Sequence, residues 1–404
     1  MQVAIIGGGI GGLALALYLE REGVPCTVYE ASRTFNELGV GINLQPHAVR
    51  MLAELGLYDA LAKLACQPQE TRFFNRHGQL LHQEKLGLAA GYNLPQFSIH
   101  RGDLHEALLA AVQARLGDVV RMGHRCVGIE QETDGVVVRW DGGALAPTRA
   151  SVAIACDGVH SAVRKQFYPD EGAFAFGGIN MWRGSTRYRP ILGGRSVILA
   201  GALSWGKLVI YPMRDYGDGT HLINWNVEVR SDVAGPNQWN KHGRIEDFLW
   251  RYDEARFDWL DVQDMMRQAD MVLEYPMVDR DPVARWSFGR VALMGDAAHP
   301  MYPRSGNGAA QSIVDARELA RRLASEPPEA ALASYEAERL EKANRIVLAA
   351  RSRPPDLIIE TVEERTGGRP FERLSDVIAE DEMRGILDRF KSLTGADLAS
   401  VNRG

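Results

Sequence analysis

The residues most suited to chemistry at the start of the chain form a glycine-rich segment, Gly7-x-Gly9-x-x-Gly12, with an acid, Glu30, further along. Gly7 permits a tight turn, Gly9 allows a diphosphate to approach the backbone, and Gly12 allows a helix to pack closely on a strand. Unpaired amides and the dipole at the start of that helix favour negative charge. Glu30 is placed to accept hydrogen bonds from an adenosine ribose, so the segment predicts dinucleotide binding.

This interpretation requires a strand–turn–helix–strand unit around the glycines. Residues 2–6, apolar from Val3 onward, predict a buried strand. Residues 13–22 predict a helix, and residues 24–30 predict a second strand that ends at Glu30. The unit has the length expected of a βαβ motif. A glycine-rich turn in another kind of α/β protein is the alternative, and these residues alone do not distinguish NAD from FAD.

Two later segments add to this pattern. Cys156-Asp157-Gly158 begins a segment that runs to Arg164, and Gly295-Asp296-Ala297-Ala298-His299-Pro300 precedes Pro303-x-x-Gly306-Asn307-Gly308. Together with the first glycines, these segments resemble the three fingerprints of the single-component FAD-dependent aromatic hydroxylases, the p-hydroxybenzoate hydroxylase-like family. The resemblance extends to about residue 350. Segments such as Met181-Trp182-Arg183-Gly184 are most similar to the phenazine-modifying branch of that family.

The resemblance implies a set of FAD contacts. Asp296 would bind the ribityl hydroxyls, and Asp157 and Arg164 would serve both the FAD diphosphate and transient NAD(P)H binding. Arg101 would contact the phosphate–ribityl region, whereas Val40 and Gly41 would run along the isoalloxazine. The remaining predicted cofactor contacts are Gly306, Asn307 and Gly308. The chain departs from its relatives at Asn307 and Ala310, where Gln and Asn are common, which affects the details of flavin positioning.

The resemblance also implies the reaction. NAD(P)H would reduce FAD, reduced FAD would react with O₂ to a flavin-hydroperoxide, and an electron-rich arene would take one oxygen atom. The cofactor carries this chemistry, so neither a catalytic triad nor a metal site is expected. His299 is expected to belong to the turn of its motif rather than to act as a base. The alternatives are an FAD-dependent oxidoreductase or dehydrogenase without oxygen insertion, and a non-catalytic flavin-binding regulator.

The substrate pocket is expected between the flavin and a sheet that begins near residue 177. Arg183 is the predicted carboxylate anchor, Tyr211 a hydrogen-bonding wall, and Pro303 the closure on the flavin side. Aromatic walls suit a planar arene such as a phenazine or hydroxybenzoate. The other predicted pocket residues are Trp182, Asn224, Trp225 and Tyr302. Each of these side chains could instead belong to the core of the sheet.

The predicted fold is α/β. A Rossmann-like FAD-binding domain is formed by residues 1–73, 97–176 and 275–350, interleaved with a mainly antiparallel-sheet substrate domain of residues 74–96 and 177–274. Residues 351–404 are predicted to form a peripheral cap of C-terminal helices. The apolar run at residues 3–19 predicts a strand and helix rather than a membrane span, since it contains five glycines and no basic residue precedes it.

Composition excludes several classes of protein. The chain has 404 residues, 46% hydrophobic and 24% charged, which is typical of a globular protein and not of a disordered or fibrous one. The net charge is −6, so no basic excess indicates nucleic acid or an anionic membrane as partner. The four cysteines have no metal-ligand spacing. The expected protein is cytoplasmic, a monomer or homodimer, whose partners are a small aromatic substrate and NAD(P)H.

Overall fold

The computed structural model describes residues 1–35, 40–143, 145–233, 241–352, 356–394 and 398–403. The strands are β1 (Val3–Ile6), β2 (Cys26–Tyr29), β3 (Gly41–Leu44), β4 (Glu70–Phe74), β5 (Leu80–Lys85), β6 (Phe97–His100), β7 (Val120–Arg121), β8 (Cys126–Gln131), β9 (Val136–Trp140), β10 (Thr148–Ala150), β11 (Val152–Ala155), β12 (Ala175–Tyr188), β13 (Ser196–Ala200), β14 (Lys207–Asp215), β15 (His221–Arg230), β16 (Lys241–His242), β17 (Val272–Asp279), β18 (Ser287–Phe288) and β19 (Val291–Leu293). The helices are α1 (Ile10–Arg21), α2 (Pro46–Glu54), α3 (Tyr58–Leu64), α4 (Arg101–Leu116), α5 (Ala162–Phe167), α6 (Val262–Arg267), α7 (Gly308–Ser325), α8 (Pro328–Ser352), α9 (Leu357–Thr366), α10 (Glu380–Thr394) and α11 (Leu398–Arg403).

The N-terminal βαβ unit lies in a six-stranded sheet. The strand order is β18-β19-β11-β1-β2-β7, and all neighbours are parallel except β18 and β19. Strands β1 and β11 are completely buried, as expected when helices cover both faces of a parallel sheet. Helix α1 begins at Ile10, three residues before the predicted start. The glycines of its first turn fit there because Gly11 lies close to the side chains of Met294 and Ser312, and Gly12 lies close to the Gly7 backbone.

The second large sheet has eight strands in the order β16-β17-β12-β15-β14-β13-β4-β5. Its neighbours pair antiparallel except β13 with β4. The mixed α/β fold class is therefore confirmed. The predicted boundaries at 73/74 and 274/275 fall inside β4 and β17. The division into two domains otherwise stays a prediction.

The eight-stranded sheet separates two apolar cores because its side chains alternate between faces. One face packs on α6 through residues such as Trp225 and Ile210. The other face carries Phe73, Leu199 and Tyr211, and α9 and α10 pack against it through Ile358, Ile359, Val362, Met383 and Leu387. The C-terminal helices α9 and α10 are thus part of a buried core. The predicted C-terminal helical cap of residues 351–404 stays a prediction, and within it α9 and α10 bury their apolar faces against the sheet.

No helix within the described ranges is both long and apolar enough to cross a lipid bilayer.

Candidate active site

The fold brings the two sheets together around one cavity of about 720 Å³. Its walls come from the glycine turn after β1, from the segment between β19 and α7, and from the second face of the eight-stranded sheet. The predicted site residues that line it are Gly9, Val40, Gly41, Arg101, Arg183, Tyr211, Asp296, Tyr302, Pro303, Gly306, Asn307 and Gly308. Residues from separate parts of the sequence therefore face the same cavity: the first glycine turn, the Val40–Gly41 segment, the segment before α7 and the eight-stranded sheet.

The three glycines of the first motif differ in the space that surrounds each of them. Gly7 has φ +109°, a conformation that favours glycine, and an added Cβ would lie 2.4 Å from the Cys156 carbonyl oxygen. A Cβ on Gly12 would lie 2.0 Å from the Gly7 carbonyl oxygen, so this position is closed to any side chain. A Cβ on Gly9 would meet nothing within 4 Å. Gly9 is thus the member of the motif whose free side faces the cavity.

Glu30 supports the glycine turn. Its Oε2 accepts a hydrogen bond from the Gly8 amide at 2.8 Å, and its Oε1 accepts one from the Ser32 amide at 2.8 Å. Glu30 itself does not line the cavity. Two backbone donors therefore fix the carboxylate at the end of β2, next to the turn where a dinucleotide would lie.

The second wall contains Asp296 and the start of α7. Asp296 is exposed to the cavity and has no hydrogen-bonding partner among the described residues. Its Oδ1 lies 3.7 Å from the position that a Cβ on Gly308 would occupy. No side chain caps the eighteen-residue helix α7, and its first residues, Gly308 and Ala309, line the cavity. This wall thus combines a free carboxylate with unpaired helix amides, which suit hydroxyl groups and anionic or carbonyl oxygens respectively.

A buried ion-pair network fixes the turn before α7. His299 Nε2 lies 2.6 Å from Asp315 Oδ2, and Arg339 Nε donates to Asp315 Oδ1 at 2.8 Å. The Gly295 amide also donates to Asp315, at 3.2 Å. Burial raises the pKa of Asp315, but the neighbouring His299 and Arg339 outweigh that effect and hold it at about 2. His299 therefore positions the turn and does not face the cavity.

Arg183 is held over the eight-stranded sheet by several partners. Its Nε donates to Asn226 Oδ1 at 3.1 Å, and its Nη2 donates to the Gly41 carbonyl oxygen at 2.9 Å. The Tyr211 hydroxyl lies close to the same guanidinium. Burial raises the pKa of Tyr211, and Arg183 partly offsets that rise. A guanidinium has five N–H donors, so Arg183 keeps donors for a ligand in the cavity.

Gly41 lines the cavity and also packs closely against protein side chains. An added Cβ would lie 2.6 Å from Tyr211 Cε2 and 2.7 Å from Met213 Sδ. The Gly41 amide donates to Asn224 Oδ1 at 2.8 Å, and Asn224 is fully buried. Asn224 therefore fixes the strand β3 against the sheet and does not line the cavity, which corrects its predicted place in the pocket.

Two predicted pocket residues lie on the wrong face of the sheet. Trp225 is fully buried against α6 and donates to Thr186 Oγ1 at 3.0 Å. Trp182 lies on the same side, 5.3 Å from the Phe248 ring. Both are immediate sequence neighbours of residues that do face the cavity, and side chains alternate along a strand. The sequence predicted the right strands for these tryptophans but the wrong face of the sheet.

Two predicted cofactor residues, Asp157 and Arg164, also do not line the cavity. Asp157 Oδ2 accepts from the Ala162 amide at 2.9 Å and so stabilises the start of α5, while burial raises its pKa. The Arg164 side chain is 2% exposed. It donates to the carbonyl oxygens of Ala297 and Ala298 and to the Glu171 carboxylate. Arg164 therefore braces the segment next to Asp296 from behind.

Several cavity residues were missed by sequence reasoning. Lys207, at the start of β14, and Glu228, in β15, are buried charges that line the cavity, and the residue types alone do not indicate their burial. Asn226 pairs with Arg183, and Tyr275 lines the cavity beside it. Apolar side chains complete the walls, namely Phe73, Met181, Val197, Leu199, Val209 and Leu387.

The sequence is similar to that of a known family and of several characterised enzymes. The FAD binding domain family matches residues 1–350. The phenazine 1,6-dicarboxylic acid hydroxylase PhzS of Lysobacter antibioticus is 40% identical over 402 residues, which covers 96% of this chain and 97% of that protein. The 3-amino-4-hydroxybenzoate 2-monooxygenase PtnB3 of Streptomyces platensis is 34% identical, with 87% of each chain covered.

A solved structure agrees with the fold. A variant of Klebsiella pneumoniae HpxO, complexed with FAD, superimposes with a TM-score of 0.79 at 26% identity, covering 97% of this chain and 99% of that one. These matches confirm the resemblance inferred from the three fingerprints. The chain belongs to the FAD binding domain family, among the FAD-dependent aromatic hydroxylases.

Proposed function

We propose that the protein uses NAD(P)H and O₂ to hydroxylate a planar aromatic acid of the phenazine carboxylate type. The observation that carries the proposal is that one cavity joins two kinds of wall. The Gly9 turn, Asp296 and the start of α7 form a dinucleotide-type wall. The opposite wall, on the eight-stranded sheet, is largely apolar and contains the guanidinium of Arg183 beside Tyr211.

The residues present fit FAD. The open side of Gly9 leaves room for a diphosphate at the N-terminus of α1, and the free carboxylate of Asp296 would hold ribityl hydroxyls. Bound FAD would supply hydride acceptance and oxygen activation. The chain itself binds and orients the two reactants and excludes water from the space between them.

The second wall suits a flat acid. Free donors of Arg183 would bind a carboxylate, and the bonds from Arg183 to Asn226 and Gly41 fix the direction of those donors. Phe73, Leu199 and Val209 offer apolar contact for fused rings and keep the site dry. Similarity to an enzyme named for phenazine 1,6-dicarboxylic acid supports a fused-ring acid over a single ring.

The proposed function has a direct test. The purified holoprotein should oxidise NADH or NADPH faster when phenazine-1-carboxylate or phenazine-1,6-dicarboxylate is added. Under ¹⁸O₂ the product should gain one labelled oxygen atom. Stimulated NAD(P)H oxidation with no labelled product would contradict oxygen insertion, and no stimulation by either acid would contradict the substrate class.

A second cavity, of about 330 Å³, offers a docking place for the nicotinamide nucleotide. It is lined by His160, Lys165, Arg280 and Glu171, among others. Glu171 pairs with both Arg164 and Arg280, so the basic side chains outnumber the acid. Arg280 also lies 4.0 Å above the Phe174 ring. A positive pocket beside an aromatic ring suits a diphosphate attached to flat bases.

Arg280→Ala is therefore expected to raise the KM for NAD(P)H about tenfold, since one charge-assisted contact contributes about 1.5–3 kcal/mol. The Kd of the aromatic acid should change less than twofold. Arg164→Ala is the matched comparison: its buried guanidinium should chiefly support folding, so the variant should lower the melting temperature. Steady-state kinetics and thermal unfolding measure both effects. Equal KM values for Arg280→Ala and wild type would remove Arg280 from the docking place.

A further inference from the structure

Four charged side chains meet at one wall of the main cavity: Lys207, Glu228, Arg304 and Asp356, here called the Lys207 cluster. Lys207 Nζ lies 2.7 Å from Glu228 Oε2 and 2.6 Å from Asp356 Oδ2. Arg304 Nη2 lies 2.6 Å from the same Asp356 oxygen. None of the four side chains is more than 9% exposed. The cluster joins β14, β15, the segment before α7 and the start of α9.

Stability does not account for such a cluster, because burying charges costs about as much free energy as their mutual attraction returns. Lys207, Glu228 and Arg304 also line the cavity. Arg304 Nε is buried and has no hydrogen-bonding partner within the described ranges. An ammonium has three N–H donors, and Lys207 uses one of them in a hydrogen bond to Asp356 Oδ2. Its contact with Glu228 Oε2 is an ion pair, and that oxygen is buried with no hydrogen-bonding partner within the described ranges. The wall thus keeps buried donors beside an open space.

The strand register fixes the distance between the Cα atoms of Lys207 and Arg183. Arg183 on β12 pairs with Asn226 on β15, and Lys207 on β14 pairs with Glu228 on β15. The two cations thus flank β15 and are offset by two residues along it. Because strands lie about 4.8 Å apart and rise about 3.4 Å per residue, their Cα atoms are separated by about 12 Å. Both side chains reach inward toward β15, where they contact Asn226 and Glu228.

We propose that the Lys207 cluster is a second polar subsite, which binds a carboxylate or carbonyl oxygen at the end of the substrate opposite to the acid bound by Arg183. The proposal rests on the proposed function and specifies it: the preferred substrate is a fused-ring arene with oxygen acceptors at both ends. The cluster contains two cations and two carboxylates, so a neutral carbonyl oxygen is also an acceptable partner. Arg304 and Lys207 supply the donors.

The test compares ring-matched probes on the holoprotein, with binding followed as a change in the visible flavin absorbance. The double variant Lys207→Met/Glu228→Gln removes one charge of each sign and leaves the Arg304–Asp356 pair intact. The control is Lys241→Met/Glu274→Gln, which breaks a 2.6 Å Lys–Glu pair on the same sheet whose residues do not line the cavity. The probes are phenazine-1,6-dicarboxylate, its monoamide and phenazine-1-carboxylate.

The cluster variant should weaken binding of the dicarboxylate at least tenfold and that of the monoacid less than twofold, with full FAD content. The control variant should bind both acids with wild-type affinity. Equal weakening of both acids, or of neither, would overturn the subsite.

The wild-type protein gives an independent test if the cluster variant does not fold. It should bind the dicarboxylate and the monoamide at least tenfold more tightly than the monoacid. Equal affinities for the three probes would refute the subsite and leave the proposed function intact. No binding of any probe would refute the proposed substrate class, and the subsite with it.

Discussion

Gly9→Val is expected to give a protein that folds normally and purifies without FAD. Gly9 precedes α1 with φ −74° and ψ −177°, an extended conformation that valine adopts readily. No atom lies within 4 Å of the added Cβ, so the side chain enters the cavity and not the core. There it occupies the space where a diphosphate must approach the amides of α1. Loss of two charge-assisted hydrogen bonds, at about 1.5 kcal/mol each, predicts an FAD affinity lower by about a hundredfold or more.

The measurement is flavin absorbance per protein after purification, followed by titration of the apoprotein with FAD, with circular dichroism as the test of folding. Gly12→Val is the matched contrast, because its Cβ would lie 2.0 Å from the Gly7 carbonyl oxygen. That variant should misfold, although the substitution is chemically the same. A Gly9→Val protein that retains one FAD per chain at wild-type affinity would show that the diphosphate does not lie at this turn.

The contrast between these glycines explains why sequence reasoning succeeded at the N-terminus. The spacing of Gly7, Gly9 and Gly12 reports local steric demands that apply within a few residues, so the pattern predicts the turn, the helix and the adjoining strands together. The family resemblance and the α/β fold class were confirmed for the same reason. Only the start of α1 was placed late, since glycines generally weaken a helix and here they fit in its first turn.

The substrate wall was harder to predict because it depends on register. The strands containing Arg183, Tyr211 and Asn226 were recognisable, but the face to which each side chain points is settled by strand pairing. Trp182 and Trp225 were assigned to the pocket on residue type and lie on the opposite face. Lys207 and Glu228 lie in strands that contain other polar residues, so residue type alone does not identify them as part of the cavity wall.

Long-range contacts were beyond sequence reasoning. Arg164 follows a recognisable motif, yet its partners include carbonyl oxygens 133 and 134 residues away, which turn it from the cavity into a buried brace. Asp356 likewise joins Lys207 and Arg304 across 149 and 52 residues. Charged residues in the C-terminal segment therefore looked peripheral in the sequence, whereas the fold pairs Asp356 with two residues of the cavity wall.

Tyr211→Phe is expected to lower the amount of hydroxylated product formed per NAD(P)H and to raise hydrogen peroxide correspondingly. Tyr211 is 4% exposed, and its hydroxyl lies close to the guanidinium of Arg183, which donates hydrogen bonds to Asn226 and Gly41. Loss of the hydroxyl frees one side of the guanidinium, so the bound acid is held less firmly relative to the site of oxygen activation. A hydrogen bond to a charged group contributes about 1.5–3 kcal/mol, and we expect a three- to tenfold fall in the product-to-peroxide ratio.

The control is Tyr252→Phe, because Tyr252 is also a buried tyrosine whose hydroxyl donates a hydrogen bond, at 2.8 Å to the Gly206 carbonyl oxygen. It belongs to the core on the face of the sheet away from the cavity. The two variants should lose similar thermal stability, and only Tyr211→Phe should shift the ratio of product to peroxide, measured under ¹⁸O₂ with peroxide assayed in parallel. A lower ratio of product to peroxide in both variants would indicate a general loss of packing. An unchanged ratio in Tyr211→Phe would show that the contact between the Tyr211 hydroxyl and the Arg183 guanidinium does not orient the substrate.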